Sequence, residues 1–135
     1  MPSTILPSTE HGFLPYYLLL VSLTALTHTL VTYINPTASL KQFSGPLAPP
    51  KTRLLAHVYG IKNVYSCLIR LYAAYQITNG ALYDLALVTF LGVLVLFGSE
   101  LLVWRTVRIQ EGVFPFITAG VGVVWMVSGR GDYLA

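Results

Sequence analysis

The sequence predicts an all-α membrane protein: four transmembrane helices in an up-down bundle, with a tight hairpin between the second and third. Three observations predict it. The 135 residues are 55% hydrophobic and only 10% charged, with a mean hydropathy of +0.67. Soluble domains carry about 25% charged residues, and one soluble core of this size could not hide so much apolar surface. Four apolar runs, at about 14–34, 54–78, 81–104 and 113–128, approach or reach the length needed to cross a bilayer, which is about 20 helical residues. Between them fall the residues that stop helices: Asn35-Pro36, Asn79-Gly80 and Gly112.

Residues 1–13, broken by Pro2, Pro7 and Gly12, read as a flexible tail. They lack the charged n-region of a signal peptide and the Arg-rich pattern of a transit peptide. The first span carries Tyr16 and Tyr17 at one end and Tyr33 at the other. At 1.5 Å per residue, Tyr16 and Tyr33 stand about 25 Å apart, matching aromatic belts at two interfaces. His28 lies within this span and reads as a neutral side chain hydrogen-bonded to a neighbouring helix. The loop from Asn35 to Arg53 is rich in Pro, Ser and Gly, and Leu40 and Phe43 could lay it on the membrane surface. Pro49-Pro50 stiffens its approach to the next helix.

The second span contains YGIKNVYSCLIR, Tyr59 to Arg70. Cys67, the single cysteine, excludes an intrachain disulfide and reads as a small buried apolar residue. The third span starts directly after Asn79-Gly80, and Arg105, Arg108 and Glu111 form a short connection to the fourth, which is expected from Val113. Pro115 then falls in a first turn. Thr118 and Gly122 have the small-xxx-small spacing that lets helices approach closely. Residues 129–135 read as a short polar tail, in which the RGD tripeptide has no supporting context.

The net charge of +3 comes without a dense basic cluster, so it reads as a topology signal rather than a nucleic-acid footprint. Lys41, Lys51, Arg53, Arg105 and Arg108 share one face; Arg130 is alone on the other. The positive-inside rule then puts the two charged connections in the cytoplasm and both termini across the membrane.

Lys62, Asn63 and Arg70 are costly inside a membrane, about 2.5–3.5 kcal/mol per charge at mid-depth. They must face a partner. Counting from the Asn79-Gly80 turn, Lys62 and Glu100 lie about 26 and 30 Å away and are nearly level, while Arg70 and Asp84 lie about 15 and 6 Å away. A Lys62–Glu100 pair is therefore expected, with Arg70 reaching toward Asp84 or the turn-side headgroups. Asn63, Ser66 and Arg70 fall at i, i+3 and i+7 and form one polar stripe. The plain reading is that this stripe holds the bundle together. The alternatives are a proton or ion relay through Glu100 and a surface for a partner's helices.

No constellation for catalysis, metal or cofactor binding is present. His11, His28 and His57 are scattered, and neither GxGxxG after a strand nor GxxxxGK[ST] occurs. GVGVV at Gly120 to Val124 lies inside a span, where helix packing accounts for it.

The runs YGIKNVYSCLIRLYAAY and LFGSELLVWRT, each in its own span, resemble the ergosterol biosynthetic protein 28 family. The matching positions are Tyr59-Gly60; Ser66, Ile69 and Arg70; and Ser99-Glu100-Leu101 with Thr106. GFLPYYLLLVSLTAL resembles the family's first span, so the likeness runs from about Gly12 to Trp125. Lys62 departs from the tryptophan of the family pattern at or next to that position, and the first loop is shorter. The resemblance shifts emphasis from Lys62 to Ser66, Arg70, Ser99 and Glu100, within a polar seam of Lys62, Asn63, Ser66, Arg70, Asp84, Ser99 and Glu100 that holds helices or receives a partner.

The resemblance implies a non-catalytic scaffold of the endoplasmic reticulum membrane, without cofactor. It would tether the sterol C-4 methyl oxidase, the decarboxylating C-3 sterol dehydrogenase and the 3-keto sterol reductase in sterol biosynthesis. Self-association stays open. Two other functions remain: a small four-helix transporter using Glu100 as coupling carboxylate, and a sterol-binding membrane protein with a groove lined by Tyr59, Tyr65 and Tyr72.

Overall fold

The computed structural model describes residues 5–134. Among them the regular structure is entirely helical: α1 (Leu14–Ile34), α2 (Pro36–Ser39), α3 (Arg53–Tyr75), α4 (Gly80–Leu102), α5 (Ile109–Ser128) and α6 (Arg130–Leu134). Helices α1, α4 and α5 are long and apolar enough to cross a membrane. Helix α3 has 23 residues, but Arg53, Lys62 and Arg70 lower its hydropathy and set it apart from those three.

Each of the two N-terminal long helices turns its small and polar residues inward. On α1, Leu18, Val21, Ser22, Ala25, Thr29 and Thr32 are buried, while Leu20, Leu23, Leu26 and Leu30 are exposed. On α3, Ala56, Gly60, Asn63, Ser66 and Arg70 are buried, and Leu54, Val58, Ile61, Leu68 and Tyr72 are exposed. This is the pattern expected in lipid, where exposed leucine costs nothing and small residues let backbones approach. The hydroxyls of Ser22 and Thr29 satisfy themselves on the carbonyls of Leu18 and Ala25, one turn back. Cys67 is buried.

Helices α1 and α3 pack antiparallel. Gly60 lies directly against Thr32, whose Oγ1 occupies the space a Cβ would need, and Thr29 Oγ1 donates to the Gly60 carbonyl at 3.0 Å. At the end of this contact Tyr33 stacks on His57, with centroids 4.1 Å apart. Residues 76–79 join α3 to α4, and the Asn79 side chain accepts from the N–H groups of Ala81 and Leu82 to cap the new helix. Helices α4 and α5 are antiparallel too. Gly122 seats the Phe90 ring, where an added Cβ would come within 2.7 Å of ring carbons, and Tyr83 donates to the Met126 carbonyl at 2.5 Å.

Three features differ from expectation. Helix α5 begins at Ile109, ahead of Val113, because Arg108 at the cap pairs with Glu111 in the first turn, where a carboxylate also suits the helix dipole. Pro115 therefore lies inside the helix, not in its first turn. The connecting loop does not lie outward on Leu40 and Phe43. Leu40 is fully buried, and Phe43 packs on Tyr59 and Phe97 at 5.5 Å each. Backbone bonds from Gly45 to Thr106 and from Leu47 to Arg105 latch this loop to the α4–α5 connection.

The C-terminal tail also packs. Tyr133 of α6 is buried beside Tyr83, and its hydroxyl accepts from the Leu14 N–H at 3.0 Å. Arg130 pairs with Asp84. The apolar core sits at this same end of the bundle, around Leu14, Leu18, Ala74, Tyr83, Phe90 and Met126. Toward the opposite end the bundle holds a cavity.

Candidate functional site

At the loop-side end of the bundle a chain of hydrogen bonds links α3, α1 and the loop. Lys62 Nζ donates to Asn63 Oδ1 at 3.3 Å. Asn63 Nδ2 lies 3.0 Å from His28 Nδ1, and His28 Nε2 lies 3.0 Å from the Ser39 carbonyl. A carbonyl can only accept, so Nε2 carries the proton and Nδ1 accepts from Asn63. The direction of every bond follows: Lys62 to Asn63 to His28 to Ser39. The His28 ring also meets Tyr59 edge-on at 5.4 Å, and Lys62 Nζ sits 4.9 Å above the same tyrosine ring.

Lys62 and Asn63 therefore do come together, but with His28 rather than Glu100. Glu100 is engaged locally. Its Oε1 accepts from the Thr106 hydroxyl at 2.5 Å, and its backbone carbonyl accepts from the Thr106 N–H at 2.8 Å. The residue closes the turn after α4, and the expected Lys62–Glu100 pair is not formed. Ser99 donates to the Leu96 carbonyl on its own helix. Asp84 sits at the other end of the molecule with Arg130, so the expected reach of Arg70 toward it is not made either. The seven residues thus divide: Lys62, Asn63, Ser66 and Arg70 share the inward face of α3, and Asp84, Ser99 and Glu100 hold other sites.

Arg70 is 7% exposed. Its Nε donates to Thr89 Oγ1 at 2.9 Å, and its guanidinium lies 4.3 Å from the Phe90 ring centroid. Thr89 in turn donates to the Ala86 carbonyl, which leaves its lone pairs turned to the arginine. Arg70 has no carboxylate partner among the described residues.

Beside Arg70 lies a cavity of about 500 Å³. Val21, Ala25, Phe90, Val93, Phe97 and Ala119 give it apolar walls, and His28, Gln42, Tyr59, Lys62 and Asn63 line its loop-side end. It exists because α1 and α5 meet at one end only, where Tyr17 donates to the Thr118 carbonyl at 2.5 Å and packs on Trp125. Beyond that contact the two helices leave a gap, rimmed by exposed Leu23, Thr27 and Phe114. Glu111 also lines the cavity but is held by Arg108. Glu100 does not line it. Among the described residues no group of three or more His, Cys, Asp or Glu is placed to hold a metal.

The expected groove of Tyr59, Tyr65 and Tyr72 is not a single surface. Tyr59 faces the cavity, while Tyr65 and Tyr72 are 63% and 59% exposed on the far side of α3. Sequence reasoning missed Thr89, Gln42 and Tyr133. Thr89 sits in a long apolar run, where a lone threonine ordinarily bonds its own helix; only the fold sets it against Arg70.

The family model for "Erg28 like protein" matches residues 14–124. The chain is 28% identical over 131 residues to ergosterol biosynthetic protein 28 of Saccharomyces cerevisiae, covering 96% of this chain and 88% of the relative. It is 31% identical over 134 residues to the Candida albicans protein of the same name, covering 97% and 95%. The human ergosterol biosynthetic protein 28 homolog is 32% identical over 114 residues, covering 84% and 81%. No solved structure matches the chain.

Proposed function

The chain belongs to the Erg28-like protein family, and from this premise we propose that it is a non-catalytic scaffold of sterol biosynthesis in the endoplasmic reticulum membrane. It tethers the C-4 methyl oxidase, the decarboxylating C-3 dehydrogenase and the 3-keto reductase. The carrying observation is the match over nearly the whole chain to relatives named for ergosterol biosynthesis. The physical benefit is proximity. Enzymes held in one membrane patch raise the effective concentration of a poorly soluble intermediate at its next enzyme.

In this reading α3 is the fourth span. Its polar stripe is turned inward, so that lipid or a partner's helices meet Leu54, Val58, Ile61, Leu68 and Tyr72. Tyr65, Leu68 and Tyr72 form an exposed ridge at i, i+3 and i+7, with the aromatic character of helix-binding surfaces. The transporter reading is weaker, because Glu100 is spent on Thr106 and lies off the cavity.

The test is deletion followed by sterol profiling and affinity purification. Accumulation of C-4 methylated or 3-keto intermediates, and recovery of the three enzymes with the tagged chain, are expected. A normal sterol profile would remove the proposal.

A further inference from the structure

A guanidinium buried at the middle of an apolar bundle needs an anion or a full set of acceptors. Arg70 has one acceptor, Thr89 Oγ1, through Nε. Its terminal nitrogens have no acceptor among the described residues, yet they are not sealed off, because no fully occluded polar side-chain atom lacks a partner. They open onto the cavity that Arg70 lines. The one carboxylate among the residues that line the cavity, Glu111, is already held by Arg108. The site is therefore an apolar chamber with an unmatched cation at its inner end.

Its shape restricts the occupant. Lys62 and Arg70 are eight positions apart on α3, so the chamber runs about 12 Å from the polar loop-side end to the guanidinium. Val21, Val93, Phe90 and Phe97 make its walls, and a volume of about 500 Å³ falls in the usual range for a small-molecule site. The gap between α1 and α5 opens it sideways, the route by which a molecule already dissolved in lipid would enter. An acceptor with two oxygens suits the two free arms of a guanidinium.

We propose that this chamber binds a sterol bearing a carboxylate at its ring-A end, with the carboxylate on Arg70 and the rings between α1, α4 and α5. The assignment of the rings to a sterol rests on the proposed role in sterol biosynthesis. Oxidative removal of a C-4 methyl group passes through a carboxylic acid before carbon dioxide is lost. A carboxylated sterol is thus the species an oxidase must hand to a decarboxylating dehydrogenase, and a tether that also held it would keep it from escaping between them.

The experiment measures equilibrium binding of radiolabelled cholesteryl hemisuccinate, cholesterol and oleate to the full chain in phosphatidylcholine nanodiscs. Hemisuccinate is expected to bind about tenfold more tightly than cholesterol, the worth of one charge-assisted contact, and more tightly than oleate, which has the carboxylate but not the rings. Arg70→Gln should abolish the preference and Arg70→Lys should keep part of it. Val93→Phe fills the chamber without touching the charge, so it should block hemisuccinate even if Arg70→Gln fails to fold. Cholesterol or oleate binding as tightly as hemisuccinate, or hemisuccinate binding unchanged in Val93→Phe, overturns the proposal. Recovery of the three enzymes with Val93→Phe is expected to match wild type, so loss of the ligand and loss of the tether are read separately.

Discussion

The carboxylate of Glu100 and the hydroxyl of Thr106 meet at 2.5 Å across the turn that ends α4. The same turn returns the Thr106 N–H to the Glu100 carbonyl and offers the Thr106 carbonyl to Gly45 of the first loop. One local contact therefore holds two connections together at the charged end of the bundle. It also accounts for the spacing of Ser99-Glu100-Leu101 and Thr106 without any long-range charge pair.

Thr106→Val removes a hydrogen bond to a charged, partly buried acceptor and should cost about 2 kcal/mol. Glu100→Gln keeps an acceptor oxygen and should cost less. Thermal unfolding of the purified variants measures both. A larger loss in Glu100→Gln than in Thr106→Val would point to a partner for Glu100 other than Thr106. Proteoliposomes of either variant, and of the wild type, should show no substrate-driven proton flux.

Arg70 and Thr89 should be energetically coupled. Thr89→Val leaves the guanidinium with no acceptor on Nε and should cost about 1–3 kcal/mol. In a double-mutant cycle with Arg70→Gln the coupling should be about 0.5–3 kcal/mol. Asp84→Asn, by contrast, should add independently to Arg70→Gln, since Asp84 belongs to Arg130. That exposed pair should matter little to the melting temperature, and less as salt is raised.

Gly122→Val should separate α4 from α5. Its side chain would enter the space of the Phe90 ring, and such overpacking costs about 1–3 kcal/mol. Phe90→Leu should recover part of the loss when combined with it. If the two changes instead add without recovery, the close approach of these helices at Gly122 is not what limits them.

His28→Ala cuts the bond that ties the loop carbonyl of Ser39 to α1 and strands the Asn63 amide. Loss of about 1 kcal/mol of local stability raises the open population about fivefold. Limited proteolysis should then cleave within 40–52 about fivefold faster. Asn63→Ala should give a similar rate, because it removes the group that orients the ring.

The first helix and the polar character of α3 could be read from the chain alone. Leu-Pro at the start, Asn35-Pro36 at the end and the tyrosines at both ends are local signals, and local signals bound helices well. The inward set Asn63, Ser66 and Arg70 was also readable, since a seven-residue span at helical period defines a face whatever lies opposite it. The register between helices was not. Equal distance from the Asn79 turn put Lys62 level with Glu100, but level residues meet only if both rotate toward each other. Helix α4 turns Thr89 and Phe97 inward, and the α4–α5 turn takes Glu100 for itself.

Composition, periodicity and turn residues alone determine that this is an all-helical, membrane-type chain with a buried polar face on α3. They do so because hydrophobic length and helical period act within one segment. Only the tertiary structure decides what that polar face meets: His28 and the loop for Asn63, Thr89 and an open chamber for Arg70. Those partners depend on the rotation of each helix and on α1 and α5 touching at one end. Both are settled by packing at Gly60, Gly122 and Tyr17, contacts between residues far apart in the chain.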